Sequence, residues 1–473
     1  MWVKGTHNCN AVPLSISVDS NEYLYLYGFY DSGNCMIDTF HLINSTTESM
    51  YFMAKISLSG NVLWAKNVCK GYITNMGNNI GTDKYGCIYL SGSFIDYSIT
   101  IGSTTILNSD TFSSGIGHYS DMFIAKFDSL GNSIWAKGFG GKYYQYIQQM
   151  TVLPNGETYL TFCTDSSFVM ETFLLLINYG TGPCNLFIAK LNTNGHVKWA
   201  KPIHSQLFPN QMISDEIGNV YITGSFNSNI IVGDSVLTLT GISNVFSMKM
   251  DSTGHVDWAV SGGGTNTGGY GLAIDSCGHL WVCGTNYSGD SMNFSGHILS
   301  PPVGGTDPAF IVEYDNNGTY IQSMALKSGG DDASGIAIDN NGNFYFAGDY
   351  CRTSMTFGTD GLPYPVPEEV FFVAKYRYGL SCPHLEEETI SSGQAITIYP
   401  NPTCRQINID FGAVNLDTYT VEFIDLTGRV LKSFTGLSNK ATLSLEGMPN
   451  GLYTCKIVSS AGIVHYEKLV VMD

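Results

Sequence analysis

The sequence predicts an all-β protein. Residues 1–380 read as a six-bladed β-propeller with four-stranded blades, 381–394 as a linker, and 395–473 as a small Ig-like β-sandwich. Three observations lead there. A stretch of the form F-x-A-K, tight turn, W-A-K recurs along the chain. Its apolar residues alternate with a period of two rather than recurring every three or four. Charged residues are only 13% of the chain while glycines number 53, a mix that suits short strands and turns better than long surface helices.

The repeat is cleanest at residues 123–137, FIAKFDSLGNSIWAK. Near copies occupy 52–66 and 187–201, with FSMKMDSTGHVDWAV at 246–260, a decayed FIVEYDNNGTYIQSM at 310–324, and a half copy, FVAKYRYG, at 372–379. Upstream of each lies a second half-motif, in which a strand and a D-x-x-G turn are followed by a strand with an aromatic residue three places before a closing position. Tyr25, Tyr89, Tyr159, Tyr221, Trp281 and Tyr345 fill the aromatic slot, and the first unit carries Glu22 in its turn. Two hairpins per unit give four main strands, with a variable stretch between the second and third. The tryptophans Trp64, Trp135, Trp199 and Trp258 stand roughly 60–70 residues apart. Four strands at this period mean a propeller blade rather than a helical solenoid.

The turns follow from local chemistry. In D-x-x-G the carboxylate accepts backbone N–H groups across the turn, and Gly takes the left-handed conformation that strains other residues. Each following Trp is expected to be buried between blades, where one indole covers about 150–250 Å². The sixth unit stops without a W-A-K segment, and the chain begins with an orphan W-V-K at Trp2–Lys4. Met1–Lys4 is therefore expected to supply the fourth strand of the last blade, because an open ring leaves edge strands unpaired. The alternative is that Trp2 is the stump of an upstream repeat.

From residue 380 the pattern breaks, and Pro383 with the acidic run 386–388 reads as an exposed linker. Seven short strands follow, at 396–399, 406–411, 420–425, 430–434, 441–445, 452–458 and 464–471, as in an Ig-like sandwich.

With these residues in view, two resemblances can be stated. The G-N-x-Y-x-x-G and F-x-A-K-x-D-x-x-G-x-x-x-W-A units resemble the SBBP-type β-propeller repeats of secreted bacterial proteins, over roughly residues 1–380. That resemblance implies the fold and says little of activity. The C-terminal stretch carries YPNP (Tyr399, Pro400, Asn401, Pro402), DLTGRVL (with Asp425, Gly428, Arg429), MPNGLYTCKI (with Gly451, Tyr453, Lys456) and a closing EKLVVMD (with Lys468). In this order it is similar to the sorting domain of the type IX (Por) secretion system. The resemblance implies a partner, the outer-membrane secretion machinery engaged through residues 395–473. It also implies passage through the periplasm, then anchoring at the cell surface or release. The first residues, MWVKGTHN, lack the apolar core of a signal peptide, so the native N-terminus is expected to lie upstream.

Composition excludes other classes. The net charge is −18, and the arginines are Arg352, Arg377, Arg405 and Arg429 alone, so a nucleic-acid partner is disfavoured. No apolar run is long enough for a transmembrane segment. The twelve cysteines contain no C-x-x-C pair, which disfavours a thiolate metal site and leaves disulfides or buried thiols.

No catalytic, cofactor-binding or metal residue is assigned from the sequence. The ten histidines are scattered, and His196, His255 and His279 follow turn glycines where exposed polar residues are expected. The D-x-x-G turns, such as Asp339–Gly342, have too few oxygens for a calcium loop, although Asp331 and Asp332 stand nearby in sequence. A sialidase-like site needs clustered arginines, and this propeller has only Arg352 and Arg377. The lysine pairs Lys126 with Lys137 and Lys190 with Lys201 read as a solvated blade edge. Aromatic loops such as 143–146 read as exposed loops that offer flat faces to a sugar.

The function expected is a binding or display module with a glycan or protein ligand and no known cofactor. The alternatives are an extracellular hydrolase or lyase at the channel mouth, and a spacer in a larger adhesin. Carboxylates at the channel would favour the hydrolase. Small residues there, such as Ser17, Gly81, Thr151, Ala273 and Ala337, would favour binding.

Overall fold

The computed structural model describes the chain apart from residues 1–5, 8, 32, 75–78, 110–118, 177–184, 204–205, 302–306, 327–332, 340–342, 351–354, 358–359, 363–369, 378–396, 400–402, 404–405, 412–417, 425–428, 450, 460–463 and 472–473. Trp2, Arg352, Asp331, Asp332 and the whole 381–394 stretch lie outside the described residues. Every regular element among the described residues is a β-strand. Contacts divide the chain into two compact units, Met1–Tyr378 and Gly379–Asp473.

The first unit repeats one antiparallel sheet. Its first instance runs Ala11–Val18, Leu24–Tyr30, Met50–Ile56 and Val62–Lys70, in that spatial order. The same order recurs at Gln145–Val152 to Val197–Pro202, Leu207–Ser214 to Val256–Gly263, and Thr267–Ile274 to Tyr320–Leu326. The second sheet begins with two short segments, Ile73–Thr74 and Ile80–Thr82, both paired to Ile88–Phe94. The sixth has three described strands, Ala333–Ile338, Asn343–Tyr350 and Val370–Arg377. The expected closing strand of this sheet falls on undescribed residues.

The core lies between successive sheets. One cluster joins Tyr25 and Trp64 of the first sheet to Leu90 and Phe123 of the second; another joins Tyr159 and Ile188 of the third to Ile222 and Met248 of the fourth. The tryptophans join the sheets as the repeat implied. The turn glycines Gly131, Gly195, Gly254 and Gly318 all have positive φ, near 73–80°. A Cβ on Gly131 would lie 3.0 Å from the Trp64 ring, and one on Gly195, Gly254 or Gly318 would lie 2.7 Å from Trp135, Trp199 or Trp258. These positions thus require Gly twice, for backbone conformation and for the indole laid against it. Trp64 Nε1 also donates to Ser129 O (3.2 Å) and Trp258 Nε1 to Asn316 O (2.9 Å).

The turn carboxylates act as expected. Asp128 Oδ1 accepts the N–H of Leu130 and of Asn132, and Asp251 Oδ1 accepts those of Thr253 and His255. Glu22 occupies the place of Gly in the first sheet's turn and is forced to φ 63°. Left-handed backbone costs a side-chain-bearing residue about 1–2 kcal/mol, while Gly loses an extra ~0.5–1 kcal/mol of chain entropy on folding. Glu22→Gly is therefore expected to stabilise by about 0.5–1 kcal/mol, read as a higher urea midpoint at unchanged slope.

What the sequence reading treated as a variable stretch contains an extra hairpin in each unit, for example Ser98–Ile101 with Thr104–Leu107 and Ile230–Val232 with Ser235–Leu237. Cys9 and Cys35 form a disulfide with Cα atoms 4.9 Å apart, and Cys163 and Cys277 each take part in a disulfide of their own with another cysteine. Cys69 and Cys283 are buried free thiols, Cys87 is a half-buried one, and Cys455 is buried in the core of the second unit.

The second unit packs a three-stranded sheet (Thr397–Tyr399, Gln406–Asp410, Lys440–Ser444) and a four-stranded one (Val430–Leu437, Tyr419–Ile424, Gly451–Ser459, Val464–Val471) around one core. Ile407, Ile409 and Leu443 come from one sheet, and Val421, Phe423, Cys455 and Leu469 from the other.

Candidate functional site

The first strands of the repeated sheets lie side by side in chain order. In five of the six, the register shifts by one residue at the same point: between Pro13 and Ser15, Ile147 and Gln149, Pro209 and Gln211, Gly269 and Gly271, and Ala333 and Gly335. A bulge bends its strand and re-aims the local side chains. Here the bulges surround a cavity of about 700 Å³, whose lining includes Leu14, Gln149, Asn210, Gln211, Tyr270 and Ala337. Ser15 of the first sheet and Gly335 of the sixth border the same space. The volume suits a small ligand or a short chain segment.

Amide side chains rivet the wall. Gln149 Nε2 donates to Asn210 O (2.7 Å), Asn210 Nδ2 to Gly269 O (2.8 Å), and Leu272 N to Gln211 Oε1 (2.9 Å). Each bond crosses from one sheet to the next. Among the expected channel residues, Ala337 lines the cavity, Ser17 is within 3.4 Å of Thr82 Oγ1, and Thr151 bonds Ser214 at 3.0 Å. Gly81 faces Val152, and Ala273 is buried. The described lining contains no Asp, Glu, Lys, Arg or His.

A second recurring arrangement sits at the first-hairpin turns. Tyr25 Oη donates to Asp19 (3.0 Å), Tyr89 to Asp83 (3.2 Å), and Tyr345 to Asp339 (3.1 Å). The F-x-A-K lysine lies over the same ring, with Lys55, Lys126, Lys190, Lys249 and Lys375 at 5.0, 4.8, 4.9, 5.8 and 5.2 Å from the ring centres. This corrects the solvated-edge reading for Lys190, which is 5% exposed, while Lys126, Lys137 and Lys201 stay partly exposed; Lys55 is buried in the same way, at 9%. Cation–π attraction holds the ammonium there, helped by Asp83 beside Lys126 (3.5 Å) and Glu157 beside Lys190 (3.1 Å). Burial and the neighbouring Asp push the Tyr25, Tyr89 and Tyr221 hydroxyls well above the ordinary phenol value.

The fifth sheet departs from this scheme. Trp281 takes the ring position and Glu313 the lysine position. His279 Nδ1 lies 2.8 Å from Glu313 Oε1 and 3.7 Å from Asp275 Oδ2. His279 is thus not simply an exposed turn residue. His196 does sit near the surface, 3.0 Å from Glu171, and His255 lies 3.7 Å from Asp257. Asp251, His255 and Asp257 form a second, more exposed group. In the aromatic loop, Tyr119 packs edge-on against Tyr143 and Tyr144, while Gln145 is fully buried.

In the second unit, Tyr399 is an exposed strand end, and Tyr453 is buried with its hydroxyl on Pro449 O (2.7 Å). Lys456 pairs with Glu422 across neighbouring strands (3.4 Å), Arg429 is exposed, and Gly451 opens a strand. Lys468 stands opposite Thr454. Pro400, Asn401, Pro402, Asp425 and Gly428 lie outside the described residues. Sequence reasoning missed the bulges and the Asp–Tyr–Lys stations. The bulges leave no residue-type signal, whereas the stations were written in four units as an Asp six places before the Tyr, with the F-x-A-K lysine further on.

Residues 397–472 match the Por_Secre_tail family, the secretion system C-terminal sorting domain. No curated protein matches the chain. Among solved structures, the chain is similar to PorZ, a surface component of the type-IX secretion system of Porphyromonas gingivalis (11% identity, 97% of this chain and 70% of that one, TM-score 0.21). It is also similar to a fungal AA5-family alcohol oxidase in complex with copper (11%, 100% and 99%, 0.34) and to YCF48 bound to D1 peptide (9%, 73% and 92%, 0.33). At these scores the likenesses carry no weight for function.

Proposed function

We propose that the chain is type IX cargo whose C-terminal unit is the export signal and whose repeat unit is a binding module. The repeat unit is read as a six-bladed ring, its sixth blade completed by Met1–Lys4, joined by the 381–394 linker to the sorting domain. The sorting-domain match at 397–472 supports secretion to the cell surface or the medium. The observation that carries the binding reading is the bulge-lined cavity, walled by amides, aliphatic side chains, small residues and aromatic rings and free of charged groups among its described lining. Such a wall fits an uncharged, hydrogen-bonding ligand such as a neutral glycan. Acid–base hydrolysis needs a carboxylate or imidazole within reach of the scissile bond, and the described residues of this lining include neither.

Two measurements test the reading. In a host with a type IX system, and with a native signal peptide supplied, the full chain is expected outside the outer membrane. Removal of 397–473 should leave it in the periplasm, and equal export of both forms would refute the signal. For the ring, a neutral-oligosaccharide array should show binding that Ala337→Arg reduces at least tenfold without changing the melting temperature. An array with no binder, or product release from a bound glycan, would overturn the binding reading.

A further inference from the structure

Five of the six repeat units place a lysine over the aromatic ring at the first-hairpin turn. The fifth places Glu313 there, so a buried cation gives way to a buried anion. Asp275 and Glu313 are 6% and 1% exposed, and among the described residues the only ion-pair partner of either is His279. Two desolvated carboxylates with one imidazole between them need a compensating positive charge.

The geometry points to a divalent transition-metal site, zinc in class, held by Asp275 Oδ2, His279 Nδ1 and Glu313 Oε1. The three ligand atoms lie within 4.8 Å of one another. They come from well-anchored positions, since Asp275 Oδ1 accepts the N–H groups of Cys277 and His279. Trp281 Nε1 donates to Asp275 Oδ2 (3.0 Å), and Gln322 Nε2 donates to Glu313 Oε2. Outer hydrogen bonds of this kind orient metal ligands. One imidazole nitrogen with two carboxylate oxygens suits zinc better than calcium, which takes oxygen ligands only. The fourth position is left to water. The ion would replace the Nδ1–H···Oε1 hydrogen bond, with the proton released to solvent, and would clamp the turn of one hairpin to the third strand of the same sheet. The role is structural, standing where lysine stands in the other units.

The test uses the untagged full chain, stripped with chelator and titrated with zinc chloride by calorimetry and by thermal shift. One equivalent is expected to bind and to raise the melting temperature. Glu313→Lys, which restores the charge of the other units, should fold and lower zinc affinity by roughly 100-fold or more. His279→Asn should do the same. His255→Asn, in the exposed group, should leave the affinity unchanged. An unmodified chain that neither binds zinc nor shifts on adding it would overturn the assignment. So would affinity that survives both Glu313→Lys and His279→Asn, or that is lost only with His255→Asn.

Discussion

Trp258→Ala is expected to lower the stability of the repeat unit by about 3–5 kcal/mol, the range for a buried aromatic cut to alanine. Trp258 is 8% exposed, and its indole covers Gly318 of the next sheet. Removing it opens a void between two sheets and frees Asn316 O from the Trp258 Nε1 bond. Neither sheet can collapse into the space without breaking its own ladder. Trp258→Phe keeps a ring against the glycine and loses mainly the hydrogen bond, so its cost should be near 1 kcal/mol plus a partial void. Urea unfolding followed by tyrosine and tryptophan fluorescence reads both. A loss under 1 kcal/mol for the alanine variant would show that the indole does not join the sheets.

The second large effect concerns Trp2. In the second to fifth units, the turn Gly of the second hairpin is covered by the Trp of the preceding sheet. Gly60 is the equivalent position in the first sheet, with φ 83°, and it is buried. Under the proposed closure, Trp2 covers Gly60 as Trp258 covers Gly318. Trp2→Ala should then cost about the same 3–5 kcal/mol, and deletion of residues 1–5 at least as much. Lys66 reaches Asn132 Oδ1 (2.8 Å) and Lys201 reaches Thr253 O (2.8 Å) across the same junctions, so Lys4 is expected to act likewise at the turn of the first sheet. A Trp2→Ala chain with an unchanged unfolding midpoint would refute closure and favour the stump of a missing repeat.

Much of the architecture was legible because the repeat samples the same physical problem several times. Asp128, Asp251 and Asp315 at one turn position, each followed by Gly, leave little choice of conformation. The strands of the second unit were read to within one to three residues at nearly every end, because period-two alternation marks a half-buried strand directly. The added hairpins were hidden by their shortness, although the recurring apolar–Gly–polar form at Ile101-Gly102-Ser103 and Val232-Gly233-Asp234, with positive φ at each Gly, could have signalled them. Lys190 was misplaced for a different reason. Lysine is ordinarily at the surface, and only the three-dimensional stacking on Tyr159 makes its burial tolerable. His279 looked like its neighbours in sequence. Its distinction lies in Glu313, more than thirty positions away, which becomes adjacent only once the sheet forms.

The pattern of sulfur chemistry bears on how such a chain travels. Thiol–disulfide exchange needs a thiolate, and burial pushes the Cys283 thiol up to about 12 and raises Cys69 as well. Cys87 is raised by burial and by the neighbouring Asp83. Once folded, the chain therefore carries its bridge at Cys9–Cys35, with Cys163 and Cys277 bridged as well, and keeps these three sulfurs chemically quiet. The hazard of mispairing belongs to the interval before the sheets assemble, so prompt folding protects this chain from scrambling.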